Sequence, residues 1–267
     1  MQQKCPFCDY SRSWSVRRNK RKCKRCRSEF SMKKYPVKGI RSTEKEWQAC
    51  IHIFLRERTS LRVYQETTIG RCRSARMTNH LRGCMHADVP EMFPGPVEID
   101  ETYIGGQRKN KHLHIRRLTP SKHGHGTDKL PILGIFDRKI GEVYVEVIPA
   151  KPKVFYIFSA IRKQVVRGAF IYSDAFKLYR GLKKDGYRHE YVDHDSGEFV
   201  RAGIHTNNME GFWGILKRKL SCIGGMRREK LYLFVAEIVW RFNHRKLSIS
   251  QQEKILLELV LENKIGG

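Results

Sequence analysis

One stretch of the chain carries the cleanest helical period. Between His205 and Leu220, the apolar residues Met209, Phe212, Trp213, Leu216 and Leu220 fall at i, i+3, i+4, i+7 and i+11, one buried face of a helix. The neighbouring face carries Glu210, Gly214 and Lys217, so an acid and a lysine two turns apart point the same way. Gly211 and Gly214 each cost about 1 kcal/mol against alanine inside a helix. Close approach of a bulky partner, such as a nucleic-acid backbone, would account for both. Taken alone, the segment has a plainer reading: Asn207 as N-cap, Glu210 as its capping-box partner and Lys217 as a solvated lysine.

Upstream, Thr43 with Glu46 three residues on marks a helix start, and Trp47, Ile51, Phe54 and Leu55 form its apolar stripe. A second short helix is expected near 61–68, ending at Gly70, and a third over 73–86 with Arg71, Arg73, Arg76 and Arg82 along it. Three short helices with a basic third suggest a helix-turn-helix; a plain helical connector is the alternative. After Pro90, Pro94, Gly95 and Pro96 the pattern changes to strands: 97–103, then a hairpin of 131–137 and 142–149 about Lys139-Ile140-Gly141. A helix over 154–167, a strand over 168–174, a helix over 175–184 and a strand over 187–193 follow. Then come the 205–220 helix and a last amphipathic one over 230–245. Three strands followed by alternating helix and strand is the order of the ribonuclease-H-like fold, an α/β architecture with helices on both faces of a mixed sheet.

This gives an expected division into 1–36, a helical DNA-binding domain at 42–88, the ribonuclease-H-like domain at 96–247 and a helical tail at 248–267. The 104–130 segment is a basic insertion in the third of these. It holds seven Lys/Arg, four glycines and four histidines (112, 114, 123, 125), and reads as a phosphate-facing loop rather than a second metal site.

Charge narrows the partner. Fifty-three Lys/Arg against 27 Asp/Glu leave a formal net charge of +26, an excess that points to a polyanion. No apolar run approaches a membrane span and no signal-peptide core is visible, so an intracellular, soluble chain is expected: cytoplasmic and nucleoid-associated in a bacterium, nuclear in a eukaryote. DNA contacts are assigned to Arg17, Arg18, Arg71, Arg73, Arg76, Lys109, Lys111 and Arg218.

The N-terminal 41 residues hold 14 Lys/Arg and two acids. Within them, Cys5-Pro-Phe-Cys8 and Cys23-Lys-Arg-Cys26 are separated by 14 residues, the spacing of a four-thiolate zinc ribbon. So short and charged a segment buries too little apolar surface to fold alone, so Zn²⁺ would fold it. A redox dithiol suits one such knuckle better than two.

Asp100 lies inside the first strand, Asp174 at the end of the fourth and Glu210 on the following helix. In a ribonuclease-H-like sheet those two strands are neighbours, and the three acids converge. Carboxylates sharing one spot repel unless cations sit among them, and hard oxygen ligands suit Mg²⁺ or Mn²⁺. Two such ions would clamp the attacking and leaving oxygens of a phosphoryl displacement, with Lys217 steadying a phosphate. Each acid also has a structural alternative: Asp174 as a helix N-cap, Asp100 as an edge-strand acid with Glu101 a rival for its role.

Three segments carry a family resemblance. Glu98-Ile-Asp100-Glu-Thr-Tyr-Ile-Gly-Gly resembles the first-acid motif of DDE transposases from small insertion sequences of the ISXO-type group. Ile171-Tyr-Ser-Asp174, with Tyr179-Arg-Gly-Leu after it, resembles the second motif. Val192-Asp-His194 through Val200, then His205-Thr-Asn-Asn-Met-Glu210-Gly-Phe-Trp213-Gly-Ile-Leu-Lys217-Arg, resembles the third. The eukaryotic Merlin transposases share these features. Thirty-five residues separate Asp174 from Glu210, and Lys217 lies seven beyond, both as in the D-D-E arrangement. The resemblance implies binding of terminal inverted repeats, metal-dependent strand cleavage and transfer to target DNA, and a homodimer or larger assembly holding two ends. A nuclease that cuts without joining, or a domesticated non-catalytic DNA-binding protein, are the competing readings.

Overall fold

The computed structural model describes residues 4–5, 7–16, 20–31, 36–37, 39–105, 113, 129–148, 154–174, 179, 181–192, 207–223 and 227–262. By its internal contacts the chain forms two compact units, Met1–Thr78 with Leu257–Gly266, and Asn79–Leu256.

The first unit opens with a three-stranded antiparallel sheet, β1 (Ser13–Val16), β2 (Lys20–Cys23) and β3 (Glu29–Ser31), in the order β1-β2-β3. Helices α1 (Glu44–Leu55) and α2 (Ser60–Glu66) follow, and α3 (Arg71–Ala87) begins here and runs on into the second unit. The expected cap is present. Thr43 Oγ1 accepts from the Glu46 amide at 3.3 Å, while Glu46 Oε2 accepts from the Thr43 amide at 2.8 Å. Two otherwise unpaired amides are thereby satisfied. Trp47, Ile51, Phe54 and Leu55 are all buried, as the stripe implied.

The second unit is built on a five-stranded sheet: β4 (Val97–Ile104), β5 (Leu130–Asp137), β6 (Glu142–Val147), β7 (Phe170–Asp174) and β8 (Arg188–Val192). The order is β6-β5-β4-β7-β8, with β4 central. β4, β5 and β6 pair antiparallel; β4–β7 and β7–β8 pair parallel. This is the ribonuclease-H-like order that the element sequence implied.

Each sheet face has its own core. On one, Ile99, Leu133, Ile135 and Ile171 pack against Ile157, Phe158 and Ile161 of α4 (Val154–Gln164). On the other, Ile132, Phe136 and Val143 meet Met209, Phe212, Trp213 and Leu216 of α5 (Asn207–Ser221), and Leu231, Val235 and Ile238 of α6 (Leu231–Asn243). Coverage on both faces explains why β5 is apolar nearly throughout rather than alternating. The edge strand β6 is closed by α6: Asn243 both donates to the Val143 carbonyl and accepts from its amide, each at 2.9 Å. A last helix, α7, covers Ile249–Leu261.

The hairpin after β5 turns on Asp137, which is buried. Its Oδ1 accepts from the Lys139 and Ile140 amides and its Oδ2 from the Gly95 amide. One element differs from expectation. Over the expected 175–184 helix, Tyr179 and Gly181 are 3₁₀-helical and residues 182–186 form tight turns that end at Gly186 (φ 92°). The amides of Asp185 and Tyr187 fold back onto Gly181 and Leu182, so the segment closes before helix can propagate. Residues 175–178 and 180 of that reading lie outside the described residues.

Candidate active site and metal centre

The site starts from the parallel pairing of β4 with β7. Val97 lies opposite Ile171, Glu98 opposite Tyr172 and Ile99 opposite Ser173. The pairing ends there; Asp100 and Asp174 are the next residues of the two strands, and paired strands lie about 4.8 Å apart. The Asp174 side chain lies outside the described residues.

Helix α5 covers the face that Asp100 looks onto. The Trp213 indole donates to Asp100 Oδ2 at 2.8 Å. That contact is possible because β5 carries Gly134 directly opposite Asp100. A Cβ there would lie 2.3 Å from Met209 Cε and 2.6 Å from Trp213 Cζ2, so only glycine lets the helix come this close. Glu210 is exposed on α5, one turn before Trp213, and residues three apart on a helix are neighbours about 5–6 Å apart. Lys217 and Arg218 are exposed further along. Among the described residues, and apart from the helix's own backbone, nothing lies within 4 Å of a Cβ built on Gly211 or Gly214.

Glu101, the rival to Asp100, belongs to the opposite face. Its Oε1 accepts from the Tyr179 hydroxyl at 2.7 Å. The alternation of β4 thus divides the two acids, Asp100 toward α5 and Glu101 toward the α4 side.

One buried acid that sequence reasoning missed is Glu98, two positions before Asp100 and on the same face. Its fully buried carboxylate accepts from Met209 N (2.9 Å), Asn208 Nδ2 (2.7 Å) and Arg138 Nε (2.7 Å). On the far side of the sheet, Ser173 Oγ and His189 Nε2 lie 2.8 Å apart. Burial, with Lys183 nearby, pushes the His189 imidazole down to about 4, so it is neutral at physiological pH.

The four N-terminal cysteines are brought together. All four sulfurs lie within 4.8 Å of one another, with Cys5–Cys26 at 3.5 Å and Cys8–Cys23 at 3.6 Å. Zinc–sulfur bonds of about 2.3 Å place tetrahedral sulfurs about 3.8 Å apart, so the donor set fits Zn²⁺. The two knuckles share a backbone device: the residue after each second cysteine, Asp9 (φ 53°) and Arg27 (φ 56°), is left-handed. Hydrogen bonds from the Ser28 side chain and amide draw Cys26 down to about 6. At Cys8 the Tyr10 amide pulls the same way, but burial and the three other thiols prevail and push it up to about 12. Four crowded thiols cannot all ionise without a cation among them. Among the described residues this is the one group of such side chains within reach of a single ion.

Of the basic residues assigned to DNA, Arg71 and Arg76 are exposed on α3. Arg73 is half-buried, paired with Glu46 at 2.9 Å and donating to the Arg41 carbonyl. Arg17, Arg18, Lys109 and Lys111 lie outside the described residues, as do His112, His114, His123 and His125 of the insertion.

Residues 92–243 match the ISXO2-like transposase domain family, more than half of the chain. The chain belongs to that family. It is 29% identical over 233 residues to an uncharacterized protein in the transposable element ISH50 of Halobacterium salinarum, covering 83% of this chain and 76% of that one. Two solved structures are more distant. The simian T-cell lymphotropic virus intasome in complex with the PP2A regulatory subunit B56 gamma gives a TM-score of 0.36 at 15% identity, covering 74% of this chain and 68% of that one. The Mos1 transposase paired-end complex with its left transposon end gives 0.26 at 12%, covering 85% and 82%. This transposase therefore takes its family from the sequence match and its fold from its own strand order.

Proposed function

We propose that this transposase cleaves DNA at the terminal inverted repeats of its element and joins the freed 3′ ends to target DNA, with Asp100, Asp174 and Glu210 holding two Mg²⁺ or Mn²⁺ ions. The observation that supports this reading is the parallel pairing of β4 with β7 up to Ile99 and Ser173, the residues just before Asp100 and Asp174, with Asp100 bonded to Trp213 of the helix that bears Glu210. Divalent ions bound there would activate the attacking hydroxyl and offset charge on the leaving oxygen. Asp100 is oriented by the Trp213 indole, which donates to its Oδ2. Glu210 and Lys217 face outward on α5, where Lys217 would hold a phosphate beside the scissile bond. The open glycine positions between them leave room for a nucleic-acid backbone.

In this reading the zinc-loaded ribbon at 1–36 and the helical domain at 42–88 bind the element's ends, and the domain at 96–247 does the chemistry. Arg17, Arg18, Arg71, Arg73, Arg76, Lys109, Lys111 and Arg218 contribute phosphate contacts. Two ends must be held together, which calls for a homodimer or larger assembly. The protein works where the DNA is, in a bacterial nucleoid or a eukaryotic nucleus.

The test is cleavage of end-sequence DNA with Mg²⁺, by the parent chain and by Asp100→Asn. Cleavage by the parent and none by D100N, with DNA binding intact, is expected; undiminished cleavage by D100N would overturn the reading. Supplying a donor with a free 3′-hydroxyl separates a transposase from a nuclease, since only the former makes a joined product.

A further inference from the structure

Glu98 is a carboxylate with no exposure. A buried charge is tolerated only when hydrogen-bonded throughout. Its donors come from two other elements: Arg138 from the β5–β6 hairpin, and Asn208 and Met209 from the first turn of α5. The first amides of a helix have no partner within it, and that end carries partial positive charge. Glu98 answers both needs from the neighbouring strand.

Mere stability does not call for such a group. Buried ion pairs are commonly replaced by apolar residues at no cost. A carboxylate bonded to one particular amide does something that apolar packing does not: it fixes the rotation and the height of the helix. A turn of α5 by one residue, about 100°, would swing Glu210 away from Asp100. The helix is in fact fastened twice to β4, at Met209 by Glu98 and at Trp213 by Asp100. Glu210 lies between the two fastenings.

We propose that Glu98 is a positioning residue, which sets the register of α5 on the sheet and thereby places Glu210 with Asp100. This rests on the reading that those acids hold the divalent ions.

The experiment compares Glu98→Gln, Asn208→Ala and Asp100→Asn in the full-length, zinc-loaded chain. Three quantities are read: hydrogen exchange of the Met209 and Glu210 amides without divalent ions, Mn²⁺ affinity by calorimetry, and the Mg²⁺ concentration needed for cleavage. For E98Q we expect a folded protein with faster exchange at those two amides. Its Mn²⁺ affinity should fall about 10–100-fold, the usual effect of losing a group that orients metal ligands. Cleavage should be recovered in part at high Mg²⁺. N208A removes one exposed donor and should move all three quantities the same way by less; it carries the test if E98Q does not fold. E98Q and N208A with parental exchange and Mn²⁺ affinity, while D100N loses Mn²⁺ binding and cleavage, would overturn the role of Glu98 alone. D100N retaining both would overturn the metal-site reading beneath it.

Discussion

Replacing Gly134 by alanine adds one methyl group at the point where β5 and α5 are closest. The new Cβ would stand 2.3 Å from Met209 Cε and 2.6 and 2.7 Å from Trp213 Cζ2 and Cη2. Ordinary carbon contacts begin near 3.5 Å, so the indole must retreat by about 0.9 Å. The methionine tip can rotate aside. The indole cannot easily do so, because it is wedged beside Phe212 and tied to Asp100 Oδ2 at 2.8 Å. Overpacking of this kind costs about 1–3 kcal/mol. For a unit of this size each kcal/mol lowers the melting temperature by about 2–4 °C. Differential scanning calorimetry of G134A against the parent measures the loss. Cleavage at a temperature where both are folded should fall further than stability explains, because the retreat also stretches the bond that orients Asp100. A variant with parental melting temperature and parental cleavage would refute the claim that the glycine exists to admit α5.

Further expectations concern other parts of the molecule. Chelation of zinc, or Cys26→Ser, should unfold the N-terminal sheet and abolish end binding while the melting of the second unit persists, read by calorimetry and gel shift. Thr43→Ala removes one half of the capping box and should destabilise α1 by about 1 kcal/mol in urea titration. His189 has its folded pKa lowered to about 4 from 6.5. The unfolded chain therefore binds the extra proton first, and the stability His189 contributes is complete above pH 6.5 and is lost as pH falls toward 4. Urea midpoints at pH 7 and pH 5 should differ less in His189→Gln than in the parent. Arg71→Ala and Arg76→Ala should each weaken binding of any DNA duplex and flatten its dependence on salt by about one unit of slope, measured by fluorescence anisotropy.

The features legible in the sequence share one property: each repeats, or pairs, over a short span. The apolar stripe of α5, the Thr43–Glu46 cap and the two cysteine knuckles need only local geometry, and each has its expected form. That Asp100 faces α5 and Glu101 faces away needed the sheet, because strand alternation says that adjacent residues part but not which face each takes. Glu98 was harder still. Its partners lie 40, 110 and 111 residues away in sequence, and no local pattern marks a carboxylate bound for a distant helix end. Gly134 sat inside an apolar run and gave no sign of the tryptophan it admits. Within the helix expected at 175–184, the turns at 182–186 carry no sequence period, because they depend on the backbone closing on itself at Gly186.

The pairing of Ile104 with Leu130 has a consequence for how such a protein can change. The ladder brings the two strand ends within about 5 Å, whatever length of chain joins them. Exchanging that long connection for a four-residue turn would alter closure entropy by only about 1.6 kcal/mol, in favour of folding. The segment can therefore behave as a cassette, lengthened, recharged or swapped between relatives while the scaffold beneath it stays the same.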